Sequence, residues 1–294
     1  MKVTRLRRLA AGVTLIALTG CGVLQDEVPE PVTSSDGGHD QQRGAPPPPR
    51  EEEPRLEDVA PAGPATTGLP EDARLDPMGS TSVDEDGATL TDVHVAGDLT
   101  VAADGVLLRR VRVDGSLRIR GSQLTVEDSE VGAVSISGEE EVVLRRTEVF
   151  GTPGSDGIHI TSDSGPVRDV LIEDCWIHSP QVEPDSHYDG VQVRGVDGLV
   201  IRGTTIDLGP PEPQHNAAVF LQEANGGNRS VVLEDNWLAG GGYTLYLAGT
   251  DVLVRGNRLS RVAAFGPVYP DTAPDDLVAE ANTWLDGAPL SVRP

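Results

Sequence analysis

Three short stretches concentrate the groups able to move protons or hold cations: Ser155-Asp156-Gly157-Ile158-His159, His187-Tyr188-Asp189-Gly190-Val191-Gln192 and His215-Asn216-Ala217-Ala218-Val219-Phe220. Aligned on Ile158, Val191 and Val219, they set Asp156 over Asp189 and His187 over His215. Four of the six histidines lie between positions 159 and 215, a density that scatter does not favour. Two carboxylates stacked about 5 Å apart repel, so one is expected to keep its proton to higher pH unless a cation lies between them. The cluster suits three chemistries. Paired carboxyls do general acid and base work on a glycosidic bond, with their separation setting the outcome. Clustered oxygens such as those of Asp156 and Asp189 hold calcium, and His187 with His215 and an aspartate suits another divalent cation. A plainer alternative stands beside these: Asp-Gly is a common turn pair, and either aspartate can serve only to cap a strand.

Asp156, His159, His187, Asp189 and Arg194 form the candidate catalytic set. Arg194 shares a strand face with Gln192 and can bind a carboxylate or act as base in a β-elimination; pairing with surface acids is the alternative. Gln192, His215, Phe220, Gln222 and Tyr246 form the candidate substrate-binding set. The rings of Phe220 and Tyr246 suit sugar stacking, or they stack on each other to stabilise a sheet. Trp176 and Trp237 occupy equivalent positions two coils apart and are expected under loops. No Walker loop, dinucleotide fingerprint, nucleophile elbow or zinc-finger cysteine pattern is present.

The elements that position these groups show in a repeated phrase: apolar, any, apolar, two variable, a small or amide residue, any, apolar. It reads VLLRRVRV (ending Val113), LTVEDSEV (Val131), VVLRRTEV (Val149), LIEDCWI (Ile177), VIRGTTI (Ile206), VLEDNWL (Leu238), LVRGNRL (Leu259) and VAEANTW (Trp284). The closing residues are 18, 18, 28, 29, 32, 21 and 25 positions apart. A fixed phrase at irregular spacing means constant rungs joined by loops of variable length, the behaviour of a parallel β-helix. The alternation within the phrase buries one face of each strand. The turn position holds Val111, Ser129, Thr147, Cys175, Thr204, Asn236, Asn257 and Asn282, and stacked Asn or Thr there can bond the turn backbone of the neighbouring coil.

Between the phrases lies a second rung: Leu117-Arg118-Ile119, Val134-Ser135-Ile136, Ile158-His159-Ile160, Val191-Gln192-Val193, Val219-Phe220-Leu221 and Leu245-Tyr246-Leu247. Each centre residue points outward. Stacking at roughly 4.8 Å then makes one outward ladder of Arg118, Ser135, His159, Gln192, Phe220 and Tyr246.

The N-terminus reads MKVTRLRRLAAGVTLIALTGC, a basic start and an apolar run too short to span a bilayer, which is a signal peptide pattern. Leu18-Thr19-Gly20-Cys21 matches a bacterial lipobox, implying cleavage before Cys21 and a lipid on its sulfur. Cys175 is then the remaining thiol, so no disulfide framework is expected within the mature chain. Residues 21–80 are rich in Pro, Glu, Gly and Ser and are expected to form a disordered tether about 50 Å long. Residues 81–294 form the expected all-β domain, a single-stranded right-handed parallel β-helix of about eight coils. Charge by segment is +4 for residues 1–21, −12 for residues 22–90 and −16 for residues 91–294, summing to −24. A chain this acidic argues against nucleic acid as partner. The expected protein is an exported monomer, anchored through Cys21 to the outer face of the bacterial cell membrane.

From about residue 85 to 294 the chain resembles the pectate-lyase-like right-handed parallel β-helix superfamily. The resemblance rests on the rung phrase, Asn236, Asn257 and Asn282, and the strands ending in GIHI and GVQV. The chain is similar also to exported bacterial β-helix proteins with an H-x-D-G-[IV]-Q segment, here His187 to Gln192, and a closing phrase like Asn282-Thr283-Trp284-Leu285-Asp286-Gly287. The resemblance implies a polysaccharide partner and a lyase or glycoside hydrolase, the alternative being a non-catalytic glycan-binding or structural envelope protein. It implies a groove over His159, Gln192 and Phe220, walled by loops 151–155, 179–186 and 207–214. Ser155-Asp156-Gly157 resembles the first acidic motif of polygalacturonases, but the paired aspartates, Gly-His-Gly and Arg-Ile-Lys of that family are absent. By similarity to pectate lyases, Asp156, Asp189 and Arg194 would be calcium ligands and base, although no full motif matches. Fold alone does not transfer activity.

Overall fold

Alternating apolar residues stack into columns. In a computed structural model, which describes residues 60–79 and 81–293, Val113 stands beside Val131, followed by Val149, Ile177, Ile206, Leu238, Leu259 and Trp284 in one parallel column. Val95 extends the column by one coil toward the N-terminus. The strands pair in parallel, each with the equivalent strand one coil away, and no helix occurs among the described residues. The fold is the single-stranded parallel β-helix expected. Its interior is a continuous file of Val, Leu and Ile running from Val83 to Leu277, and each such side chain contributes about 1.5–3 kcal/mol by leaving water.

Three strands make a coil, as in Tyr188–Arg194, Val196–Arg202 and Thr205–Asp207. The repeated phrase spans the second and third strands and bends between them. At the bend the backbone is left-handed in every phrase: φ is 50° at Arg110, 50° at Asp128, 45° at Arg146, 52° at Asp174, 59° at Gly203, 53° at Asp235, 67° at Gly256 and 53° at Ala281. Aspartate and glycine tolerate this region. At Gly203 a Cβ would also fall 2.3 Å from Asp174 Oδ1.

The bend swings the next side chain inward, where it bonds the backbone of the adjacent coil. Thr204 N donates to Asn236 Oδ1, Asn236 N to Asn257 Oδ1 and Asn257 N to Asn282 Oδ1, each at 3.0 Å. Asn236, Asn257 and Asn282 donate in turn to Ile201, Leu233 and Val254 carbonyls at 2.8 Å. The expected ladder is present, and it satisfies buried groups that would otherwise oppose stacking. Cys175 sits in it, fully buried, and burial pushes its thiol up to about 12.

One outward column has alternating charge: Arg109, Glu127, Arg145, Glu173, Arg202, Glu234, Arg255 and Glu280 stand in register. Glu173 accepts from Arg145 Nε at 2.5 Å and Arg202 Nε at 2.7 Å. Burial raises the Glu173 pKa, and the two guanidiniums outweigh it to leave the carboxyl below its ordinary range.

The domain begins earlier than position 81. Thr66 and Thr67 turn back on the Gly63 carbonyl at 2.9 and 3.0 Å, and Gly68 N bonds the Arg146 carbonyl at 3.0 Å. Ala62 and Thr67 are buried, and Asp76–Pro77 pairs with Val93 and His94. The part of the expected tether from residue 60 onward therefore packs on the β-helix; its composition is polar, yet Ala62 and Thr67 find a surface to cover. Cys21, the signal peptide and the rest of the tether lie outside the described residues.

Candidate functional site

The outward ladder forms as expected. Arg118, Ser135, His159, Gln192, Phe220 and Tyr246 occupy one register column on the first strand of successive coils. Tyr269 adds a further member, its ring stacked on Tyr246 with centroids 4.7 Å apart and planes at 20°. From His159 to Tyr269 the column runs about 19 Å at strand spacing.

Asp156 and His159 form a pair at one end. His159 Nδ1 lies 2.9 Å from Asp156 Oδ2, and Asp156 Oδ1 accepts the Asp189 main-chain N–H at 3.0 Å. Both carboxylate oxygens of Asp156 are thus fixed. A ring that donates from Nδ1 presents Nε2 as an acceptor, and the His159 side chain retains 29% exposure against 11% for Asp156. The arrangement can take a proton from a bound molecule and hold it.

Asp189 has no exposed surface. Its carboxylate accepts from Asn216 Nδ2 at 2.8 Å and from Gln192 Nε2 at 3.3 Å. Burial, and after it the charge of Asp156, lifts its pKa well above the ordinary carboxylate value, against the pull of Asn216 and the Ala217 N–H. Repulsion between the aspartates, the basis of the sequence expectation, is the smaller of the two upward causes. Asp189 lies under Gln192 and Asn216 because the chain is tightly wound there: a Cβ on Gly190 would fall 2.4 Å from Ile206 Cγ2.

The expected stacking of His187 on His215 is overturned. A bulge between Tyr188 and Asp189 shifts the register so that Tyr188 stands opposite His215. His187 instead meets the edge of Phe220, centroids 6.4 Å apart. His215 is 5% exposed, with Nδ1 buried and unpartnered, a condition that costs roughly 1–3 kcal/mol. Among the described residues no group of three or more His, Cys, Asp or Glu side chains could hold a metal ion. Nor does the Asp156 and Asp189 pair fit calcium: amide N–H groups face the oxygens of Asp189, where a cation would be repelled.

Arg194 leans away from the ladder to Asp163, Nη1 to Oδ2 at 3.3 Å, while Asn225 Nδ2 donates to Asp163 Oδ1 at 2.6 Å. Hydrogen bonds from Thr161 and Asn225, then the Arg194 charge, hold the Asp163 carboxyl low. Gln222 follows Phe220, its N–H bonded to the Val193 carbonyl at 2.9 Å.

Beyond Gln192 the face is aromatic. Phe220 and Tyr246 have centroids 4.9 Å apart, and Tyr243 meets Tyr246, Phe265 and Tyr269 at 5.7, 5.5 and 5.2 Å. Phe265 is 74% exposed. Five of the seven Phe and Tyr residues in the chain therefore gather here. Sequence reasoning missed Tyr243, Phe265 and Tyr269, although three rings within 27 positions of an aromatic-poor chain was a signal. A cleft of about 310 Å³ opens between Gly154–Asp156 and Glu183–Tyr188, so two of the expected wall loops flank Asp156. Trp176 is half-buried, with His178 stacked on it at 3.6 Å, and Trp237 lies under the Arg258 guanidinium at 4.8 Å.

No protein-family profile matches the sequence, and no curated protein does. Among solved structures, the chain is similar to an alginate lyase from Paenibacillus sp. strain FPU-7, at 10% identity over 74% of this chain and 85% of that one, with a TM-score of 0.42. It is similar also to the catalytic domain of a GH87 alpha-1,3-glucanase in complex with tetrasaccharides, at 10% identity over 68% of this chain and 56% of that one, TM-score 0.28. Likenesses this distant bear on neither substrate nor reaction.

Proposed function

We propose that the chain is an exported, lipid-anchored protein that acts on a polysaccharide laid along the outward ladder, with His159 as the proton-transferring group. One observation carries this reading: a histidine oriented by the half-buried Asp156 stands in the same column as stacked aromatic rings. Aromatic faces take the apolar faces of sugars, and Gln192 between them offers an amide to sugar oxygens. The Cys21 lipobox supports the anchoring.

Hydrolysis by two carboxyls requires both to face the glycosidic bond, and Asp189 has no exposed surface. Elimination requires a base that takes the proton α to a uronate carboxyl as the double bond forms, and an acid that protonates the glycosidic oxygen as its C–O bond breaks. His159 can take the first proton and return it to the leaving oxygen, with Gln192 holding the sugar. The reading is therefore a lyase before a hydrolase. The test is a polysaccharide panel followed by absorbance from unsaturated products and by reducing-end release. A positive substrate should lose about 10²–10⁴-fold in kcat with His159→Ala. Undiminished turnover in that variant would remove His159 from the chemistry.

A second reading, glycan binding without turnover, is favoured by the length of the aromatic stack. It expects retention on a glycan array with no product formed. Combined Phe220→Ala and Tyr246→Ala should abolish retention, and insensitivity to the pair counts against sugar stacking.

A further inference from the structure

Asp189 has no exposed surface, yet two side-chain amides hang on its oxygens: Asn216 Nδ2 on Oδ1 at 2.8 Å and Gln192 Nε2 on Oδ2 at 3.3 Å. The Ala217 N–H is a third donor. Gln192 is itself half-buried and stands in the ladder between His159 and Phe220, so its amide has an inner end on Asp189 and an outer end toward a bound chain. A carboxylate only accepts, whereas an amide donates from one end and accepts at the other. With Asp189 ionised, Gln192 must turn Nε2 inward, which leaves Oε1 outward to accept from a hydroxyl or ammonium group. A protonated Asp189 can donate from Oδ2 while Asn216 still bonds Oδ1; Gln192 then gives Oε1 inward and Nε2 outward. We propose that Asp189 is a positioning residue that decides which end of Gln192 the ladder presents, and so whether this surface takes a hydroxyl-bearing or a carboxylate-bearing sugar. The proposal rests on the ladder being the polysaccharide surface.

The groups around Asp189 leave the switch to its own proton. From the preceding coil Asp156 supplies the charge that acts on it, and Asp156 is held by His159 Nδ1 and the Asp189 N–H. His215, on the following coil, stands opposite Tyr188, and His187 meets the edge of Phe220. Arg194, farther along the same strand, is paired with Asp163. Burial first, and carboxylate charge after it, raise the Tyr188 and Tyr246 phenols, so both keep their protons where a carboxyl titrates. For elimination the consequence has a sign. A uronate carboxyl needs a donor beside His159, and Gln192 offers an N–H there while Asp189 holds its proton and a carbonyl once that proton is lost. Rising pH then weakens the hold on a uronate.

Side-chain amide resonances of the isotope-labelled full-length protein read the switch without any ligand. The Gln192 pair is assigned by its loss in Gln192→Met and followed from about pH 4 to about pH 9. The expected result is a shift of that pair with the same midpoint as the Asp189 carboxyl carbon, and no such shift in Asp189→Asn. A Gln192 pair that stays still across the range, or moves equally in Asp189→Asn, overturns the proposal. Retention on polygalacturonate is the second arm. At about pH 8, Asp189→Asn should bind it about tenfold more tightly than the wild type, because the new amide N–H takes Gln192 Oε1 and keeps Nε2 outward. In a Gln192→Met background the same change should have no effect; a gain that survives there comes from the lost charge alone and overturns the positioning role. If neither polygalacturonate nor cellohexaose is retained at any pH while the amide shift is present, the polysaccharide reading of the ladder fails and the control of Gln192 by Asp189 stands.

Discussion

Asp189 and Gln192 share one strand with His159 as their neighbour a coil away, and Asp189 and His159 are given opposite tasks by their surroundings. Asp189 is sealed, and its folded pKa stands above the unfolded value of about 3.9, with burial the main cause. The native state therefore holds this proton more tightly than the unfolded chain does. The contribution to stability is full below pH 4 and declines as pH rises toward the folded pKa, by about 1.4 kcal/mol per pH unit. Asp189→Asn should then raise Tm at pH 7 and lose that advantage below pH 4, since the amides of Gln192 and Asn216 can turn to meet the new side chain. Circular-dichroism melts at both pH values check this; an equal Tm difference at each would show that burial of charge is not the governing effect. For His159 the partner matters. Asp156→Asn should lower turnover while leaving glycan retention within about twofold, because the ring loses its orienting acceptor and not its place in the column.

At the level of elements, the bend between second and third strands is the unit the fold repeats. Asn257 accepts from Asn236 N and donates to the Leu233 carbonyl, and it has no exposed surface. Asn257→Ala should cost about 2–4 kcal/mol in chemical denaturation, because several buried groups lose partners together. The charge column gives a second test. Glu173→Arg places three guanidiniums in register with Arg145 and Arg202, and it should cost more than Glu173→Gln in low salt, with the difference shrinking as salt rises. Because the Glu173 carboxyl is held low by those arginines, its stabilisation is present above the unfolded value of about 4.3 and is lost as pH falls through the folded value. The columns were legible because period-two burial and inward amide turns leave their mark in local composition: the eight closing residues and the Asn positions stand where the phrase set them. The Arg and Glu alternation was equally visible at the fourth phrase position and went unread, since charge along a sequence is usually solvated face. The bulge at Tyr188 was illegible. Its cause is one extra residue, Asn216, in the facing strand, and sequence alignment on Val191 and Val219 has no means to detect a local slip.

Across the described residues, each strand pairs with the strands of the adjacent coils, so stability is set by stacking and is not uniform along the axis. Asn282→Ala, at the last coil, should release hydrogen exchange near residues 278–290 and leave the central coils protected. Cys175, buried with its thiol pushed up to about 12, should react with a thiol reagent only when those central coils open. The rigid stack also explains how His159 and Tyr269, far apart in the chain, share one surface. That shared surface is the central claim, and the most direct measurement is polysaccharide binding and product formation by the wild type, His159→Ala, and the Phe220→Ala Tyr246→Ala pair, measured side by side. The account predicts that the histidine variant binds without turning over and that the aromatic pair fails to bind. Binding that survives loss of both rings, with turnover that survives loss of His159, would contradict it.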